Sequence, residues 1–142
     1  MNLSDENYKY KLEKCLSKIK IDEDIVLIHS SLINFIIRNE YQLKDFCDDL
    51  IKYIGVNKTI IMPSFTPSFA KKKYWHYIRS KSETGILTEY FRNNFSEFRS
   101  IHPIHSVTIY NNKYNLKHES NSSFGKKTKL CTFILFKCIC GY

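Results

Sequence analysis

The chain has 142 residues, 43% of them hydrophobic, with ten Tyr, ten Phe and a formal net charge of +8. That length predicts one domain, and that hydrophobic share excludes a disordered chain. The charge favours polyanions such as nucleic acid, an anionic membrane or a phosphorylated cofactor, but the lysines are scattered and are densest only at Lys71-Lys72-Lys73 and at Lys126-Lys127 with Lys129.

In chain order, Tyr8, Leu12, Cys15, Leu16 and Ile19 recur at three-to-four spacing and predict an amphipathic helix, with Ser4 and Asp5 as caps. Asp24 to His29 is a short run of branched residues and predicts a buried strand. Ser30-Ser31 then suit a helix start. Leu43, Phe46, Cys47, Leu50, Ile51 and Ile54 predict a second helix from Tyr41, stopped by Gly55. Lys58 to Met62 predicts a second strand, ended by Pro63 and reached by a connection long enough for a parallel crossover. Pro63 to Tyr77 predicts mostly loop. Thr84 to Phe95 predicts a helix capped by Thr84, with Leu87, Tyr90 and Phe91 facing the core. Arg99 to Pro103 predicts an extended or turn segment, Ser106 to Tyr110 a third strand, and Asn111-Asn112 a turn. The fold class expected is α/β, a mostly parallel sheet flanked by helices.

An odd count of five cysteines, without framework spacing or a signal-peptide pattern, points to a reducing cytoplasm. Cys131, Cys138 and Cys140 lack the spacing and the histidine partner of a zinc site, so no metal is expected. The longest apolar run, Leu130 to Tyr142, is broken by Lys137 and falls short of the ~20 residues of a spanning helix, so no membrane is expected.

Three polar clusters adjoin predicted strands: His29-Ser30-Ser31, Ser64-Phe65-Thr66, and the stretch from Arg99 to Ser106. Strand-to-helix turns with small hydroxyl residues expose free amides and the positive end of a helix dipole, which suits a phosphate; the same residues also serve as ordinary helix caps. His102 and His105 are separated by Pro103 and cannot share a helix face. No G-x-S-x-G elbow, P-loop or G-x-G-x-x-G is present.

Taken together, these clusters resemble the aminoglycoside 3-N-acetyltransferase family. Val26-Leu27-Ile28-His29-Ser30-Ser31-Leu32 resembles its strand followed by H-S-S-L. Thr59 to Thr66 is similar to its G-T-h-h-M-P-[ST]-h-T segment, Thr84 to Arg92 to its G-x-L-x-E-x-F-R helix, and Arg99 to Val107 to its R-S-x-H-P-x-x-S-V. Phe124-Gly125 fits a later F-G pair. The resemblance implies a three-layer α/β fold and transfer of acetyl from acetyl-CoA to an amine of an aminoglycoside or amino sugar. It implies that His29, Ser30, Ser31 and Leu32, with Arg99, Ser100, His102 and Ser106, face CoA. Pro63 and Ser64 would lie near its pantetheine arm and Thr66 near the acceptor. Arg99 would hold a phosphate in bidentate fashion.

The sequence departs from the family at Ile36 and at Asn57-Lys58, where glycines are usual; Asn57 tolerates left-handed backbone. It departs again after Gly125. Residues 1–125 are therefore expected to form the N-terminal part of the acetyltransferase domain, and residues 126–142 a non-matching tail of the kind a frameshift or truncation leaves. No residue matches the family's histidine base, so no catalytic residue is assigned, and a module that binds CoA or a partner without chemistry is the alternative. A basic nucleic-acid binder would need a contiguous stripe with aromatic platforms, and Lys71 to Tyr77 is the one segment of that kind. No specific nucleic-acid binding is expected: retention on DNA should disappear steeply between low and physiological salt, as counterion release requires, and sub-micromolar binding at physiological salt would contradict this.

Overall fold

The computed structural model describes Tyr10 and residues 12–30, 40–114 and 132–136. The expectations for Ser4, Asp5, Ser31, Leu32, Ile36, the Phe124-Gly125 pair, the Lys126–Lys129 cluster and Cys131, Cys138 and Cys140 lie outside those residues.

Residues 12–16 are helical, and Leu12 and Leu16 are buried, as their spacing predicts. β1 (Ile25–Ser30) leads to α1 (Glu40–Ile54), which buries Leu43, Phe46, Cys47, Leu50, Ile51 and Ile54 along one face. α1 stops at Gly55, whose φ of 117° suits glycine and whose N–H donates to the Ile51 carbonyl at 2.9 Å. Asn57 is not in left-handed backbone; Gly55 takes the positive φ of that connection. β2 (Thr59–Pro63) is buried at all five positions and runs through Pro63 rather than stopping before it.

A short helix, α2 (Phe69–Lys72), interrupts the predicted loop. α3 (Ile86–Asn94) buries Leu87 and Phe91, with Tyr90 packed beside them. Thr84 does not cap α3. Gly85 holds the cap position, and the Thr84 hydroxyl instead donates to the Pro63 carbonyl at 2.6 Å, tying the helix start to the end of β2. β3 (Phe98–Arg99), β4 (Val107–Tyr110) and β5 (Thr132–Phe136) complete the described strands.

The sheet order is β3-β4-β2-β1-β5. β1 and β2 are parallel across the α1 crossover, with Val26 beside Ile60. β5 is parallel to β1, with Leu27 beside Phe133. β4 is antiparallel to β2, and β3 to β4, so the parallel centre sits in a mixed sheet. One face of the sheet places Val26, Ile28, Ile60 and Met62 in a core with α1, α3 and the first helical segment. The other gathers Ile25, Ile61 and Ile109, with Leu27, Phe98 and Val107 partly buried against them. Strands buried on both faces read as unbroken apolar runs, as β2 does.

Phe91 is fully buried and packs against Phe95 and Tyr110. Phe91→Ala is expected to cost about 3–5 kcal/mol in urea unfolding, and a loss below about 1 kcal/mol would contradict this packing.

Candidate functional site

The strand registers bring the three polar clusters to one end of the sheet. The parallel β1–β2 register runs Leu27 beside Ile61, which carries His29 and Ser30 out alongside Pro63 and Ser64. β4 enters from the opposite direction, with Val107 beside Pro63, so its beginning lies at the end of β2. The Ser64 N–H donates to the Ser106 carbonyl at 2.8 Å. The Ser106 hydroxyl donates to the Ser64 carbonyl at 2.6 Å and accepts from the Ser64 hydroxyl at 3.2 Å.

Arg99 lies at the centre of this end and is 6% exposed. Nε donates to the Ser106 hydroxyl at 3.2 Å. Nη1 donates to the Tyr77 carbonyl at 3.1 Å and to the Ser80 carbonyl. Nη2 donates to the Ser64 carbonyl at 2.7 Å and to the Thr66 hydroxyl at 3.1 Å. The guanidinium plane lies 5.4 Å from the Trp75 ring centroid. A guanidinium has five N–H donors, and all five are used on protein acceptors. The expectation that Arg99 clamps a phosphate is corrected: its fork is spent inside the protein, where it joins three segments. Burial, and then the neighbouring Arg92, lower it to about 10, so it keeps its charge at neutral pH.

The remaining site residues fall into an inner and an outer group. Ser64, Ser100, Thr66 and Ser106 are buried. The Thr66 hydroxyl donates to the Lys81 carbonyl at 3.0 Å, and the Ser100 hydroxyl accepts from the Val107 N–H at 2.9 Å. Pro63 is buried within β2. His29 is exposed, and Ser30 ends β1 beside it. His102 Nδ1 accepts from the His105 N–H at 2.9 Å; the two rings are 5.3 Å apart, and Phe65 meets His105 edge-on at 5.4 Å. The more exposed part of this end is therefore His29 and the loop from Ile101 to His105, beside buried hydroxyls.

Behind these hydroxyls, Glu89 and Arg92 of α3 form a bidentate pair, Nε to Oε2 at 2.9 Å and Nη2 to Oε1 at 2.8 Å. Glu89 also accepts the Ser82 N–H at 2.7 Å, and Arg92 donates to the Ile78 carbonyl at 2.8 Å. Burial raises the Glu89 carboxyl, but the bonds from Arg92, Ser82 and Asn93 outweigh it and hold the group below its ordinary value. This pair was not among the expected site residues, although its i,i+3 spacing is a readable signal. The carbonyls of Tyr77 and Ser80 carry no such signal.

Among the described residues, no group of three or more His, Cys, Asp or Glu could hold a metal ion. No described helix is long and apolar enough to cross a membrane. A cleft of about 470 Å³ between the first helical segment and α1, lined by Leu12, Glu13, Leu16, Asp49, Lys52 and Tyr53, shares no residue with this end of the sheet. Burial pushes the Cys47 thiol up to about 12, so it is no nucleophile at neutral pH.

Two outcomes follow from the arginine network. Arg99→Lys keeps the charge but loses the fork and strands several buried carbonyls, so it is expected to cost at least about 3 kcal/mol in urea unfolding; a loss under about 1 kcal/mol would contradict the hub. Glu89 has a folded pKa below its unfolded value, so its contribution is present above that unfolded value and is lost as pH falls through the folded one. Glu89→Gln is therefore expected to flatten the acid limb of stability as pH falls below the ordinary glutamate value, measured by thermal melts, and an unchanged limb would contradict it.

Comparison with known proteins gives structural relatives, among them the following three. The YokD protein from Bacillus subtilis matches with a TM-score of 0.58 at 20% identity over 75% of this chain and 51% of that one. A structure described as AAC-IIIb binary with CoASH matches with 0.54 at 16% identity over 72% and 45%. One described as sisomicin-bound AAC-VIa matches with 0.55 at 15% identity over 80% and 48%. These show the shared fold, and the chain spans about half the length of the structures it matches. No curated protein matches. Residues 27–130 match the family described as aminoglycoside 3-N-acetyltransferase, from within β1 through β4 and across all three polar clusters. The chain belongs to the aminoglycoside 3-N-acetyltransferase family.

Proposed function

We propose that this chain binds acetyl-CoA as the cosubstrate half of a cytoplasmic N-acetyltransferase whose acceptor is an amine of an aminoglycoside or amino sugar. The observation that carries this reading is the convergence of His29-Ser30 with the P-S-F-T and R-S-x-H-P segments at one sheet end. A structural relative described with CoASH supports CoA as the ligand class, and one described with sisomicin supports an amine-bearing sugar as acceptor.

In this reading CoA lies along the turn at His29, Ser30, Ser31 and Leu32 and along the loop holding Ser100 and His102. The floor beneath is Pro63, Ser64 and Ser106, held flat by Arg99 rather than clamped by it. Thr66 lies toward the acceptor. The first 125 residues supply this site, and the tail contributes β5 beside β1. An acceptor amine is protonated at neutral pH and must lose a proton before attacking a thioester. No residue here matches the family's base, so the second reading, CoA binding without turnover, is favoured for the isolated chain.

Calorimetry on the full chain is expected to show saturable CoA binding, weakened at least about tenfold in a His29→Ala, His102→Ala double variant. CoA release with aminoglycosides present is expected to stay at background, since loss of general-base help alone costs ~10²–10⁴ in rate. Undetectable CoA binding by folded protein would overturn the first statement, and turnover like that of a full-length relative the second.

A further inference from the structure

We infer that the acceptor of this site is an anionic amino sugar, carrying a phosphate or carboxylate, rather than a polycationic aminoglycoside. The inference rests on the acetyl-transfer reading above and names its substrate class. It comes from the charge of the segment that borders the site.

Residues 71–83 carry five cations, Lys71, Lys72, Lys73, Arg79 and Lys81, against one carboxylate, Glu83, a balance of plus four. All six side chains are exposed. Glu83 is turned back on its own segment, where it accepts the Ser68 N–H at 2.9 Å. The basic run is fastened to the candidate site at four points. Arg99 donates to the carbonyls of Tyr77 and Ser80, the Thr66 hydroxyl donates to the Lys81 carbonyl, and the Glu83 N–H donates to the Phe65 carbonyl at 2.7 Å. The backbone of residues 77–83 is therefore part of the wall of the site, and the exposed basic side chains belong to that segment and to the α2 turn leading into it.

Within the described segments that form this end, little offsets their charge. Across residues 63–83 and 99–106, Glu83 is the single carboxylate. Behind the wall, Arg92 is matched by Glu89, while every hydrogen-bond acceptor of Arg99 is neutral. Clefts lined by one sign of charge raise the local concentration of the opposite sign and repel their own. A sugar bearing several ammonium groups would meet this wall without a counter-ion, whereas a phosphate would gain charge-assisted bonds from it. The same segment offers aromatic surface for a sugar ring. Tyr74 is 69% exposed and Tyr77 45%, and the His76 ring stacks on Tyr77 at 5.5 Å with an interplanar angle of 10°.

The test is calorimetry on the full chain with CoA at saturation, titrating glucosamine 6-phosphate, glucosamine and sisomicin in turn. Glucosamine 6-phosphate is expected to bind at least about tenfold tighter than glucosamine, sisomicin not to saturate, and raised salt to erase the preference. A K71E/K72E/K73E triple variant is expected to abolish the preference while weakening CoA less than it weakens glucosamine 6-phosphate. Lys81→Glu, a single exposed change, is expected to reduce the preference and serves should the triple variant fail to fold. Sisomicin binding as tightly as the phosphorylated sugar overturns the inference. So do equal affinities for glucosamine and its phosphate, no acceptor binding at all, or a preference untouched by the variants. A triple variant that weakens CoA alone assigns the lysines to the cosubstrate and also overturns it. Preference for the phosphate in a protein that binds no CoA would instead sink the acetyl-transfer reading and, with it, the assignment of the bound sugar as an acceptor.

Discussion

Removing a guanidinium from water costs several kcal/mol unless its donors are met, and that constraint organises one whole end of this molecule. Arg99 is nearly buried, and its acceptors come from residues 64–66, from the 77–80 turn and from the start of β4. Three of the five are backbone carbonyls, so the charge fixes the course of the chain rather than a set of rotamers. The segments must be in place together, since displacing any one leaves a donor unmet. Trp75 closes the face of the guanidinium plane.

The antiparallel entry of β4 is what makes that end a site. Had β4 run parallel to β2, its leading residues would lie at the far end of the sheet, away from Ser64. Instead Ser64 and Ser106 exchange backbone and hydroxyl bonds, and the loop from Ile101 to His105 meets the end of β2, where Phe65 lies edge-on to His105. The opposite end is closed by side chains. Lys58 Nζ donates to the carbonyls of Ile21 and Glu23, and Asn111, with φ of 51°, donates from Nδ2 to the carbonyls of Val56 and Lys58. One end is bolted shut, and the other presents loops.

Much of this was readable from the residues. The apolar runs at Ile25 and Thr59 marked the central strands, three-to-four spacing marked α1 and α3, and the crossover length gave their parallel pairing. The family resemblance placed the three clusters, and the registers joined them. What escaped was governed by contacts between distant residues. Phe98 and Arg99 are too few to announce a strand, and they form one because Ile109 and Thr108 pair with them. Thr84 has the chemistry of a cap, but the Pro63 carbonyl competes for its hydroxyl. Arg99 looked like a phosphate clamp because the sequence does not show that Tyr77 and Ser80 point carbonyls at it. Charge was the reverse case. Lysines that look scattered along the chain stand together beside the site once the 71–83 segment is stitched to Phe65, Thr66 and Arg99.

In the proposed function a prebuilt, arginine-held floor carries a CoA site at this end of the sheet. Native-state amide hydrogen exchange on the full chain, with and without CoA, tests it most directly. The amides of Ser64, Ser100 and Val107, all bonded in the structure, should be protected before ligand is added. CoA should then slow exchange at residues 29–30 and 101–105 while leaving residues 56–58 and 111–113 unchanged. Protection appearing first at Asn111 and Lys58, or rapid exchange at Ser64 and Val107 without ligand, would contradict it.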